Sequence, residues 1–152
     1  MARPFQLLGP GISSALAPGA FRDQVIAVRE GRQTQVITGR LDAVRDFLDV
    51  RDAAEALWLM VAQPPEPGIY NLCSGIAVTM EDVVLGLMAA AGVEAPVALD
   101  PQRSKPADIP VMVGHPGKLR TALGWLPRFS LPDSLNEMIQ AGGDGHSVRR
   151  GG

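Results

Sequence analysis

Arg45, Arg103 and Lys105 are the side chains whose types and positions best suit chemistry, and that chemistry is holding an anion. Arg45 stands in a short apolar stretch, Val44–Leu48, near the point where a strand would open into a cleft. Arg103 and Lys105 lie in the segment DPQRSKPADIP, whose prolines at 101, 106 and 110 restrict the loop. A guanidinium offers phosphate two parallel hydrogen bonds, and an ammonium adds a point charge. A loop stiffened by proline has less entropy to lose on ordering around a ligand. The same spacing also fits plain surface ion pairs with Asp46, Asp100 and Asp108, so spacing alone leaves both readings open.

No nucleophile–base pair is legible. His146 falls in a polar carboxy-terminal tail, and His115 precedes a proline that starts a helix, a cap or surface position. Cys73 sits among apolar strand residues and reads as a packed thiol. The chain has no CxxC, HExxH or P-loop pattern, so no metal site is expected. GPGISSAL places Gly9, Gly11 and Ser14 at the spacing of a G-x-G-x-x-G fingerprint. A phosphate cradle needs a helix to open directly on those glycines, and Pro10 and Pro18 disturb it, which favours a structural turn.

The elements that must position these residues alternate in type. Ala2–Leu8 reads as a short buried strand, Ala20–Glu30 as a helix after a Ser13–Gly19 loop, and TQVITG and Val44–Leu48 as two further strands. Asp49 stands at an N-cap position, and Ala53 to Val61 carry helical periodicity up to Pro64-Pro65. Within AVRDFLDVRDAAEAL, Asp46 reads as a buttress for Arg45 or nearby backbone, and Arg51 and Asp52 as a solvated first turn. Ile69–Cys73 is a strand. Thr79 and Asp82 form a capping box for a helix across Met80–Ala91, stopped by Gly92. Val97–Leu99 is a strand, GKLRTAL is a helix between Pro116 and Gly124, and Ser130 with Asp133 opens a last helix. Residues 142–152 read as a disordered tail. Strands alternating with helices give an α/β class.

With 152 residues, 46% of them hydrophobic, the chain has material for one domain with a sizeable core. A net charge of −2 gives no support for nucleic acid or an anionic membrane as the main partner. The single cysteine excludes an internal disulfide and favours a reducing compartment. No run of about 18 apolar residues marks a membrane span, and Met1–Gly11 does not read as a signal peptide. A cytoplasmic location is expected.

RPFQLLGPG, VRDFLDVRDAAEA, GIYNLCSG, DPQRSKPADIP and KLRTALGWLP follow one another in an order that resembles the carboxy-terminal half of the extended short-chain dehydrogenase/reductases. These are the NAD-dependent epimerases, dehydratases and reductases of nucleotide sugars. The resemblance covers about residues 2–141 and is greatest to the GDP-4-keto-6-deoxy-D-mannose reductase group, which makes GDP-D-rhamnose. It implies the substrate-binding portion of such an enzyme, lacking most of the Rossmann sheet that strands at 2–8 and 69–73 would join. Family catalysis rests on Tyr-x-x-x-Lys. The only tyrosine here, Tyr70, is followed four residues later by Ser74, so no catalytic residue is assigned and the chain alone is expected to be inactive.

By resemblance, Pro4 and Phe5 would lie beside the nicotinamide, and Gln6, where the family has Asn, would face the sugar. Arg45 matches a pyrophosphate-binding arginine, and Lys105 stands where a second arginine is usual. Asp108 matches an acidic position near the nucleotide ribose, and Arg103 would be an extra phosphate contact. The implied cofactor of the intact enzyme is NAD or NADP, bound weakly if at all by this chain, and the implied partner is a nucleotide diphosphate sugar. A GDP-mannose 4,6-dehydratase, a UDP-sugar 4-epimerase and a non-catalytic nucleotide-sugar-binding module are the alternatives. Strand edges and an apolar face without a sheet to cover them lead us to expect self-association.

Overall fold

The computed structural model describes residues 1–103 and 109–144; Lys105 and Asp108 lie outside the described residues. The chain opens on β1 (Ala2–Pro4) and β2 (Gln6–Leu8), interrupted at Phe5. After α1 (Ala17–Arg29) come β3 (Val36–Thr38), β4 (Val44–Arg45), β5 (Phe47–Asp49) and α2 (Val50–Ala62). Then follow β6 (Tyr70–Leu72), β7 (Val78–Thr79), α3 (Met80–Ala91), β8 (Val97–Leu99) and β9 (Val111–Met112), closed by α4 (Gly117–Leu123) and α5 (Leu131–Asp144). The α/β class holds.

Short strands pair across long sequence gaps. β1 runs parallel to β6, with Ala2 opposite Tyr70, and β2 runs parallel to β5, with Gln6 opposite Phe47. β3 pairs in parallel with β8, and β4 lies between β7 and β9. The stretch expected as one strand over Val44–Leu48 is therefore two, because Asp46 leaves the ladder and its neighbours pair with different sheets. The opening strand is also less buried than expected: Leu8 is enclosed, but Arg3, Pro4 and Leu7 are exposed, since β1 and β2 each have a single neighbour.

Local chemistry explains the helix limits. The Asp49 carboxylate accepts the Arg51 N–H at 2.8 Å and starts α2. Thr79 and Asp82 exchange the two hydrogen bonds of a capping box, and Gly92, at φ 66°, ends α3 in the left-handed region. Ser130 and Asp133 repeat the reciprocal pattern before α5. Helix α1 begins three residues before the expected Ala20, with Pro18 in its first turn, where the missing N–H costs nothing. Helix α5 runs on to Asp144, so residues 142–144 of the expected tail are helical. Gly142 seats the helix against α1, where an added Cβ would lie 2.5 Å from Ile26 Cδ1. Residues 145–152 lie outside the described residues.

Two apolar clusters result. The larger joins α1, α3 and α5 through Val25, Val83, Leu87 and Met138. The smaller joins α2, β5, β6 and α4 through Leu48, Ala56, Leu72 and Leu119. Arg51 and Asp52 are not the solvated turn the sequence implied. Asp52 is fully buried and accepts the N–H groups of Arg128 and Phe129 at 3.1 Å. Arg51 bonds Asp49 and Glu137 and lies 3.6 Å from the centroid of the Phe129 ring. The segment leading into α5 folds back over the start of α2, a contact between residues more than seventy positions apart. Among the described residues, no helix is long and apolar enough to cross a membrane.

Candidate functional site

A cleft of about 720 Å³ opens between α1, the end of β3 and the β2–β4 region. That volume is within the usual range for small-molecule sites. Phe5 and Gln6 line it from the first strands, Arg45 from β4, and Arg103 from the turn after β8. Four residues picked out by sequence or resemblance thus share one cavity. Pro4 is exposed and does not line it.

Arg45 is only 6% exposed. Its Nη1 donates to the carbonyls of Val44 at 2.8 Å and Ile109 at 2.7 Å, which ties the guanidinium to β4 and to the segment entering β9. A charge buried this way keeps its direction without a ligand, as an anion anchor must. The adjacent Asp46 carboxylate, 1% exposed, does not pair with Arg45. One oxygen accepts Ser74 N–H and Oγ–H, and the other accepts the N–H groups of Gly75 and Gly114. Asp46 therefore buttresses backbone, fixing the strand junction from which Arg45 emerges. Arg103 is more loosely held, with Nη1 at 3.3 Å from the Ile37 carbonyl and Nε at 3.4 Å from Asp100.

Three further cleft residues carry polar groups that sequence reading passed over. Gln24 of α1 uses its side-chain amide to pair with both the N–H and the C=O of Ile37, on the edge of β3 away from β8. Thr38 is 1% exposed, and its hydroxyl has no hydrogen-bond partner among the described residues. Arg40 follows Gly39 just past β3, a strand-end position like that which singled out Arg45.

Groups elsewhere are structural. Tyr70 is buried, its hydroxyl donates to the Glu66 carbonyl at 2.7 Å, and its ring lies under Lys118 Nζ. Burial, with the nearby Asp46 charge, pushes the Cys73 thiol up to about 11 and leaves it protonated and inert. The Gly9–Gly11 turn is a packing device, because a Cβ on Gly9 would strike Val50. Phe5 packs against Gly114, and Phe21 and Phe47 join it in the cleft lining.

Over residues 2–138 the sequence matches the family of GDP-mannose 4,6 dehydratases. The chain belongs to that family. This member is 29% identical over 140 residues to the GDP-6-deoxy-D-mannose reductase of Pseudomonas aeruginosa, covering 91% of the chain and 46% of the relative. It is 28% identical to the GDP-mannose 4,6-dehydratase of Sinorhizobium fredii, over 75% of the chain and 38% of that enzyme. The solved structure of RMD from Pseudomonas aeruginosa complexed with NADPH superposes with a TM-score of 0.85 at 28% identity, covering 92% of this chain and 46% of that one. The UDP-glucose 4-epimerase of Thermus thermophilus, in complex with NAD, gives 0.75 at 26% identity, with 92% and 45% covered. The chain spans less than half the length of the curated relatives it matches. It corresponds to the carboxy-terminal portion of an extended short-chain dehydrogenase/reductase.

Proposed function

We propose that this chain supplies the nucleotide-sugar-binding half of an NAD(P)-dependent reductase acting on GDP-4-keto-6-deoxy-mannose. The observation that carries the reading is Arg45, buried in the wall of the shared cleft with its guanidinium fixed by two carbonyls. Arg45 and Arg103 hold the diphosphate together with Lys105, Asp108 meets the nucleotide ribose, and Gln6 faces the sugar. Phe5, with Pro4 at its shoulder, belongs to the wall beside the nicotinamide, which supplies the reducing equivalent in the intact enzyme. The setting is cytoplasmic. Without a Tyr-x-x-x-Lys pair the chain alone turns over nothing.

Titration calorimetry with GDP tests the binding claim. Heat from the wild-type chain, lost in Arg45→Met, is the expected result; no heat with GDP or UDP refutes it. NADPH oxidation on adding a 4-keto sugar nucleotide to this chain alone would refute the inactivity.

A second reading is favoured by the relatives themselves, which include a 4,6-dehydratase and a 4-epimerase. Those reactions would use the same cleft, and stronger heat with UDP than with GDP would move the assignment to a UDP-sugar enzyme. A non-catalytic binding module predicts the same heat together with a stable, monodisperse chain.

A further inference from the structure

We infer that Arg40 is a further anion-binding side chain of this cleft, one whose pairing with Asp42 a ligand phosphate replaces. The inference rests on the nucleotide-sugar reading above and adds a residue to it. Arg40 lines the cleft together with Arg45 and Arg103. Its Nε donates to Asp42 Oδ1 at 2.9 Å and its Nη2 to Oδ2 at 2.6 Å, a two-pronged pairing of guanidinium with carboxylate. A phosphate group engages a guanidinium through the same fork, so Asp42 and a ligand phosphate compete for one set of donors.

Arg40 and Arg45 differ in a way that gives each a task. Arg45 is buried, with Nη1 committed to two backbone carbonyls, so it can anchor but cannot travel. The Arg40 and Asp42 side chains are 56% and 65% exposed. An ion pair open to water is weakly held, so a more highly charged phosphate can take the place of the Asp42 carboxylate. The Arg40 hydrogen bond holds the Asp42 carboxyl below the usual range, so Asp42 stays ionised and competes throughout neutral pH. Arg45 therefore anchors the diphosphate, and Arg40 exchanges Asp42 for it.

Calorimetry of GDP and of guanosine with four forms of the full chain tests this: wild type, Arg40→Ala, Asp42→Asn and the double variant. Arg40→Ala should weaken GDP binding roughly 5–10-fold, the loss of one exposed charge-assisted contact, and leave guanosine unchanged. Asp42→Asn should tighten GDP binding about 2–5-fold by removing the competitor, a gain at the low end of the exposed-pair range. In the double variant that gain should vanish. Wild-type GDP affinity in both single variants, with binding abolished in Arg45→Met, overturns the inference and leaves the proposed function standing. No GDP binding by the wild-type chain overturns both. Unchanged thermal melts for the single variants, expected for an exposed pair, keep a folding defect from mimicking either result.

Discussion

Replacing Asp46 with Asn changes no volume and removes one charge, yet it should be among the most damaging substitutions in the chain. The carboxylate is 1% exposed and accepts four hydrogen bonds: Ser74 N at 2.8 Å, Ser74 Oγ at 2.7 Å, Gly75 N at 2.9 Å and Gly114 N at 3.1 Å. An amide can accept at only one of its two ends. If its NH₂ faced Gly75 and Gly114, two backbone donors would meet a donor, and neither can turn away. The cheaper orientation turns the NH₂ toward Ser74, whose hydroxyl can rotate to accept. That still leaves the Ser74 N–H opposed and strips the charge assistance from the bonds that remain. One orphaned buried donor costs about 1–3 kcal/mol, and a hydrogen bond to a charged group is worth about 1.5–3 kcal/mol. A loss of about 2–4 kcal/mol follows, or roughly 5–15 °C in Tm for a domain of this size. Thermal unfolding followed by circular dichroism, with urea titration as a second measure, provides the assay. A melt within about 2 °C of wild type would show that Asp46 is not the joint described here. Asp46→Ala should cost more, because it deserts three backbone N–H groups at once.

Acid should loosen the α2–α5 junction. Burial raises the Asp49 carboxyl, but the hydrogen bonds from Arg51 and Ser134 outweigh it and hold the group below its ordinary value. A depressed folded-state value gives stability that is complete above the unfolded carboxyl range, about pH 4, and is lost as pH falls through the folded value. Melts of Asp49→Asn and wild type should therefore converge at low pH; a constant gap would contradict the linkage. In Gly114→Ala, the added Cβ would lie 2.6 Å from Cys73 Sγ and 2.8 Å from Phe5 Cζ. Overpacking of about 1–3 kcal/mol and displacement of Phe5 in the cleft should appear as a lower Tm and weaker ligand binding, and an unshifted melt would show that the contact yields freely. The last two turns of α2, Ala56–Ala62, carry no polar side chain, and Leu57, Trp58 and Val61 are 47%, 68% and 73% exposed. A helix apolar all round requires a cover, so light scattering should show self-association that Trp58→Glu reduces, and a monomeric wild-type mass would count against it.

Local signals in the sequence located the helices well and the strands poorly. Asp49, Thr79 with Asp82, Gly92, and Ser130 with Asp133 are caps whose partners lie within three residues, so their meaning is readable in place. β7 and β9 are two residues long, too short to show a period, and only pairing with β4 defines them. In the site, Arg45 stood out at a strand end, and the same signal applied to Gly39-Arg40 would have found Arg40. Nothing in the sequence marks Gln24 or Thr38, which come together at the cleft only when α1 packs beside β3.

The charged run from Arg45 to Asp52 shows where such reading fails. Asp46, Asp49 and Asp52 recur every third residue and are all buried, at 1%, 3% and 0% exposure. Asp46 takes backbone donors from residues 74, 75 and 114 and Asp52 from 128 and 129, while Asp49 caps α2 through the Arg51 N–H and accepts the Ser134 hydroxyl. Buried backbone N–H groups must find acceptors, and a fold whose strands are two or three residues long leaves many of them without a ladder. Carboxylates, each able to accept several hydrogen bonds, meet that need at the Asp46 and Asp52 joints. Asp46 and Asp52 answer what the distant chain lacks, and Arg45 is the one basic side chain of the run in the cleft wall.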